Sequence, residues 1–111
     1  MGALRYITIS ILSILPISAH AGSGSGLVHN VYAFINGIII FTVDTHNDAP
    51  PCGSGAFSRD FAFDSTTQEG KNKYALLLIA ANSKKRITVT GDSTCRVWGD
   101  RETALWFVID F

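Results

Sequence analysis

A chain of 111 residues is the length of a single domain, and its nine basic and nine acidic side chains cancel. That balance leaves no basic excess to hold a phosphate backbone, so nucleic-acid binding is not expected.

The first 21 residues, "MGALRYITISILSILPISAHA", carry a lone positive charge at Arg5, an apolar run from Ile7 to Ile17 and a small-residue exit at Ala19-His20-Ala21. This is the pattern of a secretory signal peptide cleaved after Ala21. A membrane span needs about 20 apolar residues, and this run is shorter and broken by Pro16. No later segment is long and apolar enough to cross a bilayer either, so a secreted or periplasmic protein without membrane insertion is expected. Removing 21 of 111 residues leaves 90, and the loss of Arg5 leaves eight basic residues against nine acidic ones. Both cysteines, Cys52 and Cys95, remain, and an even count in an oxidising compartment predicts a disulfide between them.

"GSGSG", residues 22–26, reads as a flexible leader, and residues 27–111 as the domain. Two apolar runs then flank Asn36-Gly37, a pair that tolerates the positive φ angles of a type I′ turn. They predict a hairpin with strands over 28–35 and 38–43. "IIIF" in the second strand is apolar at every position, so both faces should be covered, the outer one by another subunit. Residues 44–55 read as a loop, punctuated by Pro50-Pro51. "FSRDFAF" gives a short third strand. In the next stretch Asp64 or Ser65 can cap a helix over about 66–81, with Ser65 and Gln68 at capping-box spacing. Tyr74, Leu77, Leu78 and Ala81 make its apolar face, and Gly70 weakens its first turns. "RITVT" and "ALWFVIDF" are the fourth and fifth strands. Five strands with a helix between the third and fourth predict a mainly β fold, an OB-fold-like Greek-key barrel.

No constellation of catalytic residues stands out, and no enzyme is expected. Cys95 in "TCRVWGDRE" has no histidine nearby to activate it, and the stretch reads instead as a disulfide staple, a turn at Trp98-Gly99-Asp100 and the start of the last strand. "DTHND", Asp44 to Asp48, lacks the glycine and glutamate of a calcium loop and supplies too few ligands for zinc, so it reads as a solvated loop with no metal or cofactor. Asp100 and Glu102 fall on a turn with no cleft between them. Lys84, Lys85 and Arg86 complement the dipole at the helix end.

The strand-helix-strand run "FAFDSTTQEGKNKYALLLIAANSKKRITVTG" and the ending "TCRVWGDRETALWFVI" resemble a group of small exported bacterial proteins similar to the B subunits of subtilase cytotoxin and its pertussis-like relatives. The resemblance extends over about residues 27–111 and is clearest from Phe61 onward. It implies an OB-fold protomer, assembly into a homo-oligomer (a pentamer in the toxins), binding of cell-surface glycans that are often sialylated, and docking of an enzymatic A subunit. The sugar pocket of that family uses a serine just before the first strand, for which Ser25 is the candidate. The alternative is a non-enzymatic periplasmic or secreted protein of structural or inhibitor-like role on the same barrel.

Overall fold

The computed structural model describes residues 21–111, so residues 1–20, nearly all of the expected signal peptide, lie outside the described residues. The chain runs β1 (Ser23–Ala33), β2 (Ile38–Asn47), β3 (Asp60–Asp64), α1 (Gln68–Ser83), β4 (Arg86–Gly91) and β5 (Glu102–Asp110). It is mainly β with one helix between the third and fourth strands, as expected. The strands hydrogen-bond in the ring β1-β2-β3-β5-β4 and back to β1. The sheet is mixed: β3 and β5 pair in parallel through Phe61↔Glu102 and Ala62↔Thr103, and every other pair is antiparallel.

The β1–β2 connection is the turn read from Asn36-Gly37. Both residues have positive φ, 60° and 74°, and the Ile38 amide bonds the Ile35 carbonyl. That geometry matches the twist of the strands it joins. Inside the ring, Ile39, Phe41 and Val43 alternate inward against Phe61, Phe63, Leu77, Ile87, Val89 and Phe107. Phe41 sits among three rings, with centroids 5.8 Å from Phe61, 6.0 Å from Phe63 and 5.6 Å from Phe107.

Four local expectations are corrected. Residues 23–26 are not a loose leader: they open β1 and pair with both β2 and β4. A Cβ at Gly22 would overlap the Glu102 carboxylate, and one at Gly24 would overlap the Phe61 ring. These glycines serve close approach rather than flexibility. Secondly, β2 continues through His46 to Asn47, so "DTHND" begins as strand instead of loop.

Thirdly, the helix is capped by Thr67, whose hydroxyl accepts from the Gly70 amide at 3.0 Å, rather than by Asp64 or Ser65. Its buried stripe is Gly70, Leu77 and Ala80, with Tyr74 and Leu76 partly covered, while Leu78 is 43% exposed. Gly70 sets this rotation. It lies so close to the Asp64–Ser65 backbone that a Cβ there would overlap the Asp64 carbonyl, and Leu78 falls to the edge of the face.

Lastly, "IIIF" is covered on both faces, but within one chain. Ile40 lies outside the inner core cluster and is still 0% exposed. Its cross-strand partners are Tyr32 and Ala62. Beside them Tyr32, Phe34 and Trp98 stand in a row, with centroids 5.9 Å and 4.9 Å apart. Ile40 is thus covered within the single chain, and Trp98, from the segment before β5, stands at the end of the adjoining aromatic row.

Candidate functional site

That segment is held at both ends. Cys52 and Cys95 form the expected disulfide, with Cα atoms 6.3 Å apart. Asp92 accepts from the Thr94 amide at 2.9 Å and the Thr94 hydroxyl at 2.7 Å, and its other oxygen takes Arg96 Nε at 2.9 Å. Burial pushes the Asp92 carboxyl up, but the bonds from Thr94 and Arg96 outweigh it and hold the group below the ordinary carboxylate range. Trp98 and Arg101 close a tight turn, with the Arg101 amide on the Trp98 carbonyl at 3.0 Å. The stretch "TCRVWGDRE" is therefore staple, turn and first residue of β5, with no free thiol.

Strand register builds a cleft beside this turn. Asn30 pairs with Thr42 and Thr42 with Asp60, so one polar row crosses β1, β2 and β3 on the outer face. Thr42 Oγ1 donates to Asp60 Oδ1 at 2.6 Å, and Arg101 Nε donates to Asp60 Oδ2 at 3.2 Å. Both Asp60 oxygens are thus engaged as acceptors, which fixes the carboxylate in place. Arg101 also lies 3.8 Å from the Phe57 ring centroid, a cation–π contact that seats the loop before β3. The exposed rings of Tyr32 and Phe57, with Ser58 and Arg59, complete a cleft of about 170 Å³. It offers two aromatic surfaces beside amide, hydroxyl and guanidinium groups. Such a set suits a small ring with one apolar face and several hydroxyls.

Ser25 does not line this cleft. It lies on β1 opposite Thr45 and Thr88, with its Oγ 3.0 Å from Thr45 Oγ1. Register continues that row to Val108, and the next row runs Asn47, Ser23, Thr90 and Trp106. Ser25 thus belongs to a hydroxyl-rich strip of the outer sheet that ends on apolar β5 residues.

The ring also encloses a polar cluster that sequence reasoning missed. In the sequence Glu102 reads as a turn residue and His46 as part of a solvated loop, yet both side chains are fully buried. Glu102 Oε1 accepts from His46 Nε2 at 2.6 Å, and Oε2 accepts from the amides of Gly22 at 2.9 Å and Ser93 at 2.8 Å. The His46 ring stacks on Phe61 at 3.8 Å. The glycines at 22 and 91 were the available signal, since a Cβ at either would overlap the Glu102 carboxylate. A pair with no solvent-exposed surface cannot meet a substrate, so this is a structural bond network. Among the described residues no group of three or more histidine, cysteine or acidic side chains is placed to hold a metal.

No family model matches this chain, and no curated protein or solved structure matches it.

Proposed function

We propose that this is an exported, non-enzymatic glycan-binding protein resembling a toxin B subunit, built on an OB-fold barrel. The cleft between Tyr32 and Phe57 carries the reading. A sugar ring can lay its C–H face on an aromatic side chain while its hydroxyls bond Asn30, Ser58 and Arg59. One shallow cleft binds weakly, because its polar groups largely exchange water for ligand. Assembly into a homo-oligomer, such as a ring of five, would add avidity without new contacts.

Support for self-association comes from the exposed apolar residues of β5 and the C-terminus, Leu105, Trp106, Val108 and Phe111. Docking of an A subunit on such a ring, and a secreted or periplasmic location, follow from the resemblance and from the signal-like first segment. A structural or inhibitor-like role is the second reading, since any protein partner would also cover the apolar β5 residues.

A glycan array tests the proposal. The protein should bind a defined glycan set, and Tyr32→Ala or Phe57→Ala should each weaken binding by up to about ten-fold, the worth of one aromatic contact. Ser25→Ala distinguishes the two candidate surfaces: loss of binding there would move the site to the hydroxyl strip. No signal on a broad array, together with a strict monomer by light scattering, would leave the structural or inhibitor-like reading.

A further inference from the structure

Glu102 is a fully buried carboxylate, and the bonds it accepts bring it no fixed positive charge. Oε2 takes the Gly22 and Ser93 amides, and Oε1 takes His46 Nε2. Among the ion pairs of the described residues, no lysine or arginine reaches it. His46 is poorly placed to carry the balancing charge. Its Nδ1 is buried without a hydrogen-bond partner, so a second proton on the ring would add a stranded donor. A buried carboxylate without a cation beside it is costly to keep ionised.

The Gly22 nitrogen, 2.9 Å from Oε2, is the atom that becomes the α-amino group once the leader is cut after Ala21. Its surroundings suit a chain end. Gly22 is buried, while Ala21 just before it is exposed. The Gly22 carbonyl accepts from the Gly91 amide at 2.7 Å, and Ser23 pairs with both Asn47 and Thr90. The nitrogen is therefore held by residues that all remain after cleavage. A Cβ at residue 22 would overlap the Glu102 carboxylate, so glycine is what lets the nitrogen come this near.

We propose that Glu102 is the receptor for the mature N-terminus: removal of the leader sets the Gly22 α-ammonium against this carboxylate, as a buried ion pair that locks β1 into the ring. The proposal rests on the reading of residues 1–21 as a cleaved leader. Hydrolysis of the Ala21–Gly22 bond by an export peptidase consumes one water. The water oxygen stays on Ala21, which leaves as a carboxylate, and both water protons end on the Gly22 nitrogen. That group is an ammonium at neutral pH, since α-amino groups titrate near about 8. A neutral amide donor is exchanged for a charged one, which makes a hydrogen bond about twice as strong. Cleavage thus tightens a corner that the strands already define.

NMR titration of the exported, disulfide-bonded protein, with glycine labelled at Cα, tests this. Mass spectrometry first establishes where the chain starts. A start other than Gly22 would overturn the leader reading and the proposal with it, whereas a start at Gly22 with an ordinary amine would overturn the proposal alone. The Gly22 amine should titrate at least about one unit above the ordinary value of about 8, because the opposite charge favours the ammonium. The titratable groups brought to this corner are Glu102 from β5, His46 from the end of β2 and Asp92 from the loop after β4, which is bonded to Thr94 and Arg96. Glu102→Gln keeps the side-chain shape and should return the amine to the ordinary range. Should that variant not fold, a chain made to start at Ala21 replaces it, with its amine one residue further out. The longer chain should melt lower at neutral pH, by about 5–10 °C for a one-unit shift. The difference should be full below about pH 8 and vanish as the pH rises through the raised midpoint, where the amine loses its charge. A midpoint less than about one unit above the ordinary value, or equal melting temperatures for the two chains at neutral pH, would overturn the assignment.

Discussion

Glu102 gathers three donors that the surrounding backbone and side chains would otherwise leave without acceptors. Two come from the main chain at Gly22 and Ser93, and one from His46. Since these groups are buried, the carboxylate does what water does at a surface. The same contacts tie the start of β1, the end of β2 and the loop after β4 to the first residue of β5. Removing the acceptor leaves the donors stranded. Glu102→Ala should therefore cost about 3–5 kcal/mol, since each stranded buried donor costs about 1–3 kcal/mol. Urea unfolding measures this, and a loss below about 1 kcal/mol would mean that water reaches the cluster. Exposed carboxylates behave differently. Asp44 is bonded by His29 and by the Leu27 amide, which lower its titration, but it stands in solvent and its contribution is screened.

Among the elements, α1 shows how a single glycine selects a packing face. Periodicity alone allows a stripe through Tyr74, Leu77, Leu78 and Ala81, or one through Gly70, Tyr74, Leu77 and Ala80. Both keep helical spacing. The close approach of Gly70 to the Asp64–Ser65 backbone selects the second and leaves Leu78 at the rim. Leu77→Ala should then cost about 2–5 kcal/mol, as emptying a core leucine site does. Leu78→Ala should stay within about 0.5 kcal/mol, as surface changes do. Equal losses at the two positions, by thermal or chemical unfolding, would contradict the observed rotation of the helix.

For the whole molecule, the ring of strands has two covers. Inside lies the phenylalanine cluster around Phe41. Outside, beside β1 and β2, lies the row of Tyr32, Phe34 and Trp98, of which Trp98 comes from the segment before β5. The Cys52–Cys95 bond links this segment to the loop before β3 across a separation of 43 residues. On the chain-entropy account, closing a loop of that size stabilises by about 4 kcal/mol, a large share of the usual net stability of a domain this small. Replacing both cysteines by alanine should lower stability by about that amount. It should also weaken any ligand binding at the Tyr32–Phe57 cleft, because Phe57 lies in the loop the bond restrains. Chemical unfolding and titration of the double variant check the two effects separately.

Much of this protein was decided within short stretches of sequence. The Asn36-Gly37 turn, the order of strands and helix, and the turn at Trp98-Gly99-Asp100 follow from local backbone preferences, which neighbours along the chain settle among themselves. The cysteine pair was legible because a chain with only two cysteines allows one intramolecular pairing. The rest depended on residues distant in sequence. His46 and Glu102 are 56 positions apart, and each alone resembles a surface residue; only the closed ring puts them together, out of water. "GSGSG" looks like linker because glycine serves both freedom and close approach, and the Glu102 carboxylate and Phe61 ring that require the second use lie far along the chain. Ile40 pointed to a second cover, but its apolar character holds no record of which atoms would provide it. Likewise the polar row of Asn30, Thr42 and Asp60 exists only through strand register, which places Ser25 on a separate strip. Burial and register are properties of pairs, and one position in a sequence carries only half of each.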